Sequence, residues 1–216
     1  MGSTTIRVGG VCGILGAAAL VPALVVGSPE KLTDSDGVLG YFGSMTGFVT
    51  ANGTLPLLHV LLTLLFFGVL TAMLRSATGP TGAAYTAVIG SAVYLTLTAA
   101  GLAAEVAIPA TVVHFDVILF TSAAHPFLVL ATWLYHYAQI GAAAVIFATA
   151  YIVVRTGVLP KWAAALAVLG VLPLLHTWVG VPAAYCTLAW LALTGLVMLI
   201  LPPIVRIERS IVGPAD

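Results

Sequence analysis

Long apolar stretches, separated by short runs that contain glycine, proline or charged residues, dominate the chain. Six of them approach the ~20 residues that a helix needs to cross a bilayer, and they occupy residues 6–26, 56–74, 82–104, 133–154, 162–179 and 183–205. The first stretch exceeds the roughly 7–15 apolar residues of a signal peptide, so we assign it as a helix. The pattern predicts an all-α polytopic membrane protein, with residues 1–216 forming one six-helix bundle.

Composition strengthens this prediction. Of the 216 residues, 61% are hydrophobic and only 6% are charged, whereas soluble domains carry roughly 25% charged residues. So few charges could not cover the surface of a soluble fold of this size. The net charge is zero, so nothing in the sequence indicates a nucleic-acid partner. The two cysteines form no C-x-x-C motif, which argues against a thiol redox enzyme.

The basic residues predict how the chain is oriented. Lysine and arginine favour cytoplasmic loops. With six spans and both termini in the cytoplasm, all but one of the basic residues fall on the cytoplasmic side: Arg7, Arg75, Arg155, Lys161, Arg206 and Arg209. A seventh span at 110–132 would move four of them outside. We therefore predict a re-entrant or lid segment on the outer side between helices 3 and 4, and a location in the cytoplasmic (inner) membrane of the cell.

The pentapeptide LPLLH occurs twice, at residues 55–59 and 172–176. In the predicted topology, His59 lies at the start of helix 2 and His176 near the end of helix 5, so both histidines lie near the outer surface. An inverted repeat would place its two copies on opposite sides. The repetition therefore does not indicate an inverted-repeat transporter.

The same outer layer collects most of the ionisable groups at membrane depth. It contains all five histidines and two carboxylates, namely His59, His114, His125, His136, His176, Glu105 and Asp116. Such groups are costly in a membrane, and by default they indicate a functional site. The alternative interpretation is that they are interfacial residues, like the aromatic side chains that surround them.

The layer is suited to acid–base catalysis on a lipophilic small molecule that enters from the outer leaflet. Glu105 or Asp116 would be the acid, and His114, His136 or His59 would be the base. The substrate would contact a surrounding set of polar and aromatic side chains, which we predict to be His176, Trp133, Tyr137 and Tyr185. The corresponding reaction would be an isomerisation, cyclisation or hydrolysis, with no cofactor.

Other functions remain open from the sequence. Histidines at positions 59, 136 and 176 could supply a pair of haem ligands, but the sequence contains no H-E-x-x-H or Cys/His metal motif. A non-catalytic accessory or structural subunit, or a carrier of small solutes, would also fit an apolar bundle. The lipid bilayer is the one partner that the sequence indicates directly, and the oligomeric state is undetermined.

Two short stretches resemble a known family. These are IRVGGV at residues 6–11 and RTGVLPKW at residues 155–162, and they are similar to the first helix and to the loop between helices 4 and 5 of a family of small bacterial membrane proteins. The family is catalogued as domain of unknown function 4386. The resemblance implies six spans and a bacterial origin, and it implies no activity or catalytic residues.

Overall fold

The regular structure is entirely helical in the part of the chain that the computed structural model describes, residues 2–26, 42, 44–115 and 123–203. Five helices are long and apolar enough to cross a membrane. They are α1 (Ser3–Val26), α2 (Met45–Thr78), α3 (Gly82–Phe115), α4 (Ala124–Thr156) and α6 (Val181–Ile200). The predicted all-helical class is thereby confirmed, and five of the helices have the length and composition of membrane spans.

A sixth segment, α5 (residues 161–179), has an irregular helical structure. It consists of a 3₁₀-helix at Lys161–Gly170 and two short α-helices, Val171–Leu174 and His176–Val179. A 3₁₀-helix rises about 2.0 Å per residue and an α-helix 1.5 Å. These pieces therefore extend over about 30 Å, which is the thickness of a bilayer's hydrocarbon core, although α5 is shorter in sequence than the five long helices.

The six segments form a ring in chain order. Each segment packs against the next, and α6 closes the ring by packing against α1. The α3–α4 pair is the most extensive, and α2 packs less extensively against α3 than against α1. Neighbouring segments are antiparallel, so four basic residues lie at one end of the bundle: Arg7, Arg75, Arg155 and Lys161. We call this the basic end.

Two pairs of glycines bring neighbouring helices into backbone contact. A Cβ atom on Gly10 of α1 would lie 2.4 Å from the carbonyl oxygen of Gly195 in α6, and one on Gly90 of α3 would lie 2.8 Å from the carbonyl oxygen of Gly141 in α4. Small residues at such positions allow membrane helices to approach closely. These glycines therefore allow close helix packing inside the bundle.

The segment between the third and fourth helices differs from its prediction. Residues 105–115 continue α3, and α4 begins at Ala124 instead of residue 133. The predicted re-entrant or lid segment is not confirmed, and residues 116–122 lie outside the described part of the chain. Pro109 is accommodated within α3, as proline often is in membrane helices, and Pro126 lies in the first turn of α4, where no amide donor is needed.

The last helix is shorter than predicted. It ends at Ile200, and Pro202 and Pro203 follow immediately. Proline lacks the amide hydrogen and clashes with the preceding turn, so the helix does not continue to residue 205. Arg206 and Arg209 lie outside the described residues.

Candidate functional site

Glu105, the only carboxylate among the described residues, is buried where α2, α3 and α4 meet. It is 3% exposed. Its Oε1 accepts a hydrogen bond from Nδ2 of Asn52, at 3.0 Å, and its Oε2 accepts one from the hydroxyl of Tyr135. We call Glu105, Asn52 and Tyr135 the carboxylate cluster.

Local backbone structure brings the two donors to the carboxylate. Asn52 lies in a π-helical turn, Val49–Thr54, between the two α-helical parts of α2. Such turns are rare and occur frequently at functional sites. On α3, a Cβ atom on Gly101 would lie 2.6 Å from the ring of Tyr135. Because Gly101 has no side chain, the Tyr135 ring can lie against α3 and reach Glu105 one turn further on.

A groove runs beside the carboxylate cluster, between α2 and α3. Its volume is about 420 Å³, and Asn52 forms part of its lining together with mostly apolar side chains. Leu57 and Leu61 of the lining are 69% and 53% exposed. The groove therefore opens sideways, on the surface of the bundle that is in contact with lipid in a membrane.

Two histidines face each other at the same level on the other side of α4. Nδ1 of His136 lies 2.6 Å from Nδ1 of His176 in α5. One ring must donate and the other accept, so the two rings share one hydrogen. His136 follows Tyr135 directly, and consecutive residues point about 100° apart around a helix. Helix α4 thus contacts the carboxylate cluster on one side and the His136–His176 pair on the other.

The histidine pair does not fit a shared metal ion as it is placed. Metal–nitrogen distances near 2.0–2.1 Å put two ligands of one tetrahedral ion more than about 3 Å apart, which is further than the 2.6 Å between these atoms. Two axial ligands of one haem iron would be further apart still. The described residues also contain no group of three or more His, Cys, Asp or Glu side chains that could hold an ion.

His59 is completely buried and links three helices. Its Nδ1 donates to the carbonyl oxygen of Gly16 in α1, at 2.8 Å, and its Nε2 accepts from the hydroxyl of Tyr94 in α3, at 3.3 Å. Tyr94 precedes Glu105 by eleven residues, or about 16 Å along α3. The structure therefore separates His59 from the carboxylate cluster, with which the sequence analysis grouped it.

The remaining predicted site residues are not brought together. His114 and His125 are exposed near the facing ends of α3 and α4, and three aromatic rings point outwards, namely Trp133, Tyr137 and Tyr185. The ring of Trp133 packs edge-to-face against His136 and lies beside the ring of Tyr137, and all three belong to α4. Asp116 lies outside the described residues, so its predicted role stays a prediction.

Sequence analysis missed several buried polar residues. Asn52 is the only asparagine of the chain and Gln139 the only glutamine, and both are buried. Gln139 of α4 accepts a hydrogen bond from the Thr187 hydroxyl of α6, at 2.5 Å. A lone amide within an apolar helix is the signal that could have identified both. Tyr135 was not singled out either, because no sequence pattern connects it to Glu105.

Comparison with known proteins gives no relative: no family model, no curated protein and no solved structure matches the chain. The resemblance of residues 6–11 and 155–162 to the uncharacterised bacterial family therefore stays a prediction.

Proposed function

We propose that the protein is a membrane-embedded enzyme that transfers protons on a lipophilic small molecule, with Glu105 as the catalytic acid–base group. The observation that carries this proposal is a buried carboxylate, hydrogen-bonded by Asn52 and Tyr135, beside a groove that opens towards lipid. Buried ionisable groups in membrane helices are costly and mark functional sites by default.

The proposed arrangement in the membrane has six crossings. Segment α5 is long enough for the sixth crossing, because its 3₁₀-helical part extends further per residue than an α-helix does. The basic end faces the cytoplasm, as lysine and arginine in short loops favour, and both termini are then cytoplasmic. The carboxylate cluster lies towards the outer leaflet of the cytoplasmic membrane. A substrate would reach it sideways from the lipid, through the groove between α2 and α3.

The chemistry follows from the hydrogen bonds of Glu105. Both carboxylate oxygens accept bonds, so the group is oriented to take a proton from a bound molecule. The Tyr135 hydroxyl, which donates to Oε2, can stabilise the carboxylate and return a proton to the substrate. Removal of a proton at one position and its return at another isomerises or cyclises a substrate without an oxidant or reductant, and activation of water by the same base would hydrolyse one.

The test uses deuterium oxide, because each of these reactions exchanges a proton with the site. Purified protein in mild detergent is incubated in deuterium oxide with a membrane lipid extract from the expression host, and the products are analysed by mass spectrometry. We expect the wild type to convert or deuterate particular lipophilic species and Glu105→Gln to lose this activity. Tyr151→Phe, which alters an exposed ring of α4 outside the predicted site, is the control and should behave as the wild type.

Two results would contradict the proposal. One is an unchanged lipid profile, with no deuterium incorporated by the wild type. The other is equal incorporation by the wild type and by a folded Glu105→Gln variant, because the carboxylate would then have no part in the reaction.

A further inference from the structure

Small side chains line the groove between α2 and α3. On α3 these are Ala99 and Ala103, one turn apart, and they leave space that larger side chains would fill. From Asn52 to Leu64 the lining extends over twelve residues of α2, or about 18 Å. One flexible hydrocarbon chain of myristyl length fits such a space.

The apolar lining alone would not select one lipid from another. Lipid tails are as apolar as leucine side chains, so moving a chain from the bilayer into the groove gains little. Selection must come from a polar contact, and the lining has one polar side chain, Asn52.

Asn52 offers a hydrogen-bond acceptor that has no partner among the described residues. The residue is 1% exposed, and its Nδ2 is committed to Glu105, but its Oδ1 is buried without a hydrogen bond. The carboxylate fixes the orientation of the amide, because only the NH₂ group can donate to it. A buried carbonyl oxygen without a donor is costly, so an occupant with a hydroxyl group at this end would be favoured.

Charge narrows the chemistry of the occupant further. Glu105 lies next to Asn52, whereas the basic side chains of the described residues, Arg7, Arg75, Arg155 and Lys161, lie at the basic end, away from the cluster. A phosphate or carboxylate head group would face a carboxylate with no described cation nearby. A neutral hydroxyl group is not repelled by the carboxylate and needs no cation beside it.

From these observations we infer that the groove binds a long-chain alcohol, with its hydroxyl donating to Asn52 Oδ1 and its hydrocarbon chain lying along α2 towards Leu64. This inference rests on the proposed function and names the substrate class of the same site. In this binding mode the carbon that bears the hydroxyl lies beside Glu105, because Asn52 is hydrogen-bonded to both the alcohol and the carboxylate.

The test uses two photoreactive probes: a myristyl-length primary alcohol with a diazirine near the far end of its chain, and the methyl ether of the same compound. Each is irradiated with the purified full-length protein in nanodiscs, and the labelled residues are mapped by mass spectrometry. An interhelical hydrogen bond in a membrane contributes a preference of about three- to fifteen-fold. We expect the alcohol to label the α2–α3 groove more strongly than the ether by a factor in this range, and Asn52→Leu to abolish the preference.

A second pair of variants tests the groove itself. Ala103→Phe fills the groove and should prevent labelling there, whereas Ala18→Phe places the same ring on an exposed position of α1 and should leave the labelling unchanged. Equal labelling by alcohol and ether in the wild type would overturn the inference, as would labelling of the groove that persists in Ala103→Phe. Neither result depends on turnover, so failure here is distinguishable from failure of Glu105→Gln to abolish catalysis.

Discussion

The hydrogen bond between Tyr135 and Glu105 can be tested by removing one oxygen atom. Tyr135→Phe deletes the hydroxyl that donates to Oε2 and keeps the ring that packs against Gly101. A bond to a charged acceptor contributes about 1.5–3 kcal/mol in soluble proteins, whereas hydrogen bonds between membrane helices average about 0.6 and reach about 1.7 kcal/mol. Because Glu105 is buried, we expect the upper part of the membrane range, a loss of about 1.5 kcal/mol in the free energy of unfolding.

The measurement is reversible unfolding in mixed micelles of mild detergent and sodium dodecyl sulfate, followed by circular dichroism. Tyr137→Phe is the matched control, because it makes the same change two residues further along α4 on a ring that is 54% exposed. Its free energy of unfolding should equal that of the wild type. A double-mutant cycle with Glu105→Gln isolates the coupling between the two side chains, which should be about 1 kcal/mol or more.

Two outcomes would refute this reasoning. If Tyr135→Phe and Tyr137→Phe have the same stability, the Tyr135 hydroxyl is not bonded in the folded protein. If the effects of Tyr135→Phe and Glu105→Gln simply add, the hydroxyl is bonded to another group, and the carboxylate cluster is not a unit.

Two further substitutions test the packing of the bundle by the same unfolding measurement. Gly195→Ala places a Cβ atom 2.6 Å from the backbone oxygen of Gly10, and it should lower the free energy of unfolding by about 1–3 kcal/mol because the two backbones must move apart. The control, Gly68→Ala, has nothing within 4 Å of the added atom and should leave the free energy of unfolding unchanged. Equal losses in the two variants would show that α1 and α6 do not approach this closely. His59→Leu removes the bonds from the ring to an α1 carbonyl and to the buried Tyr94 hydroxyl, and losing the partner of that hydroxyl should cost about 1–3 kcal/mol. A stability equal to that of the wild type would mean that His59 does not link the three helices.

The sequence predicts where most helices occur because lipid imposes a simple rule. Each membrane helix must be apolar over a fixed length, and Arg75 and Arg155, which interrupt the apolar stretches, lie in the last turns of α2 and α4. The rule fails where a polar residue is satisfied by another helix. The third helix was predicted to end at residue 104, directly before Glu105, yet α3 continues to Phe115 and the carboxylate is buried among partners. The residues next to a charged position do not show whether it lies at the end of a membrane helix or is buried within one.

The two LPLLH copies illustrate the same limit. They have one sequence, but His59 is bonded inside the bundle to α1 and α3, and His176 is paired with His136 on α4. Pro56 begins the regular part of α2, whereas Pro173 lies in a broken segment. The surroundings of each histidine are determined by which helices pack beside it, and that information is distributed over the whole chain.

Buried polar groups can serve only to hold membrane helices together, so burial alone does not distinguish a catalytic carboxylate from a structural one. The His59 contact has the properties of a purely structural link: both ring nitrogens are bonded, and the surrounding helices are closely packed. The carboxylate cluster differs in two respects. One of its buried acceptors, Asn52 Oδ1, has no partner among the described residues, and the same side chain lines a groove that a molecule from the bilayer can enter. An interaction that served stability alone would be stronger with that acceptor satisfied by the protein. The incomplete bonding beside an open groove is therefore the feature that favours a binding site over a helix–helix link. Asn52→Leu separates the two: in both cases it removes the donor to Glu105 and should lower the free energy of unfolding, but only a binding site also loses a preference for the alcohol over its methyl ether.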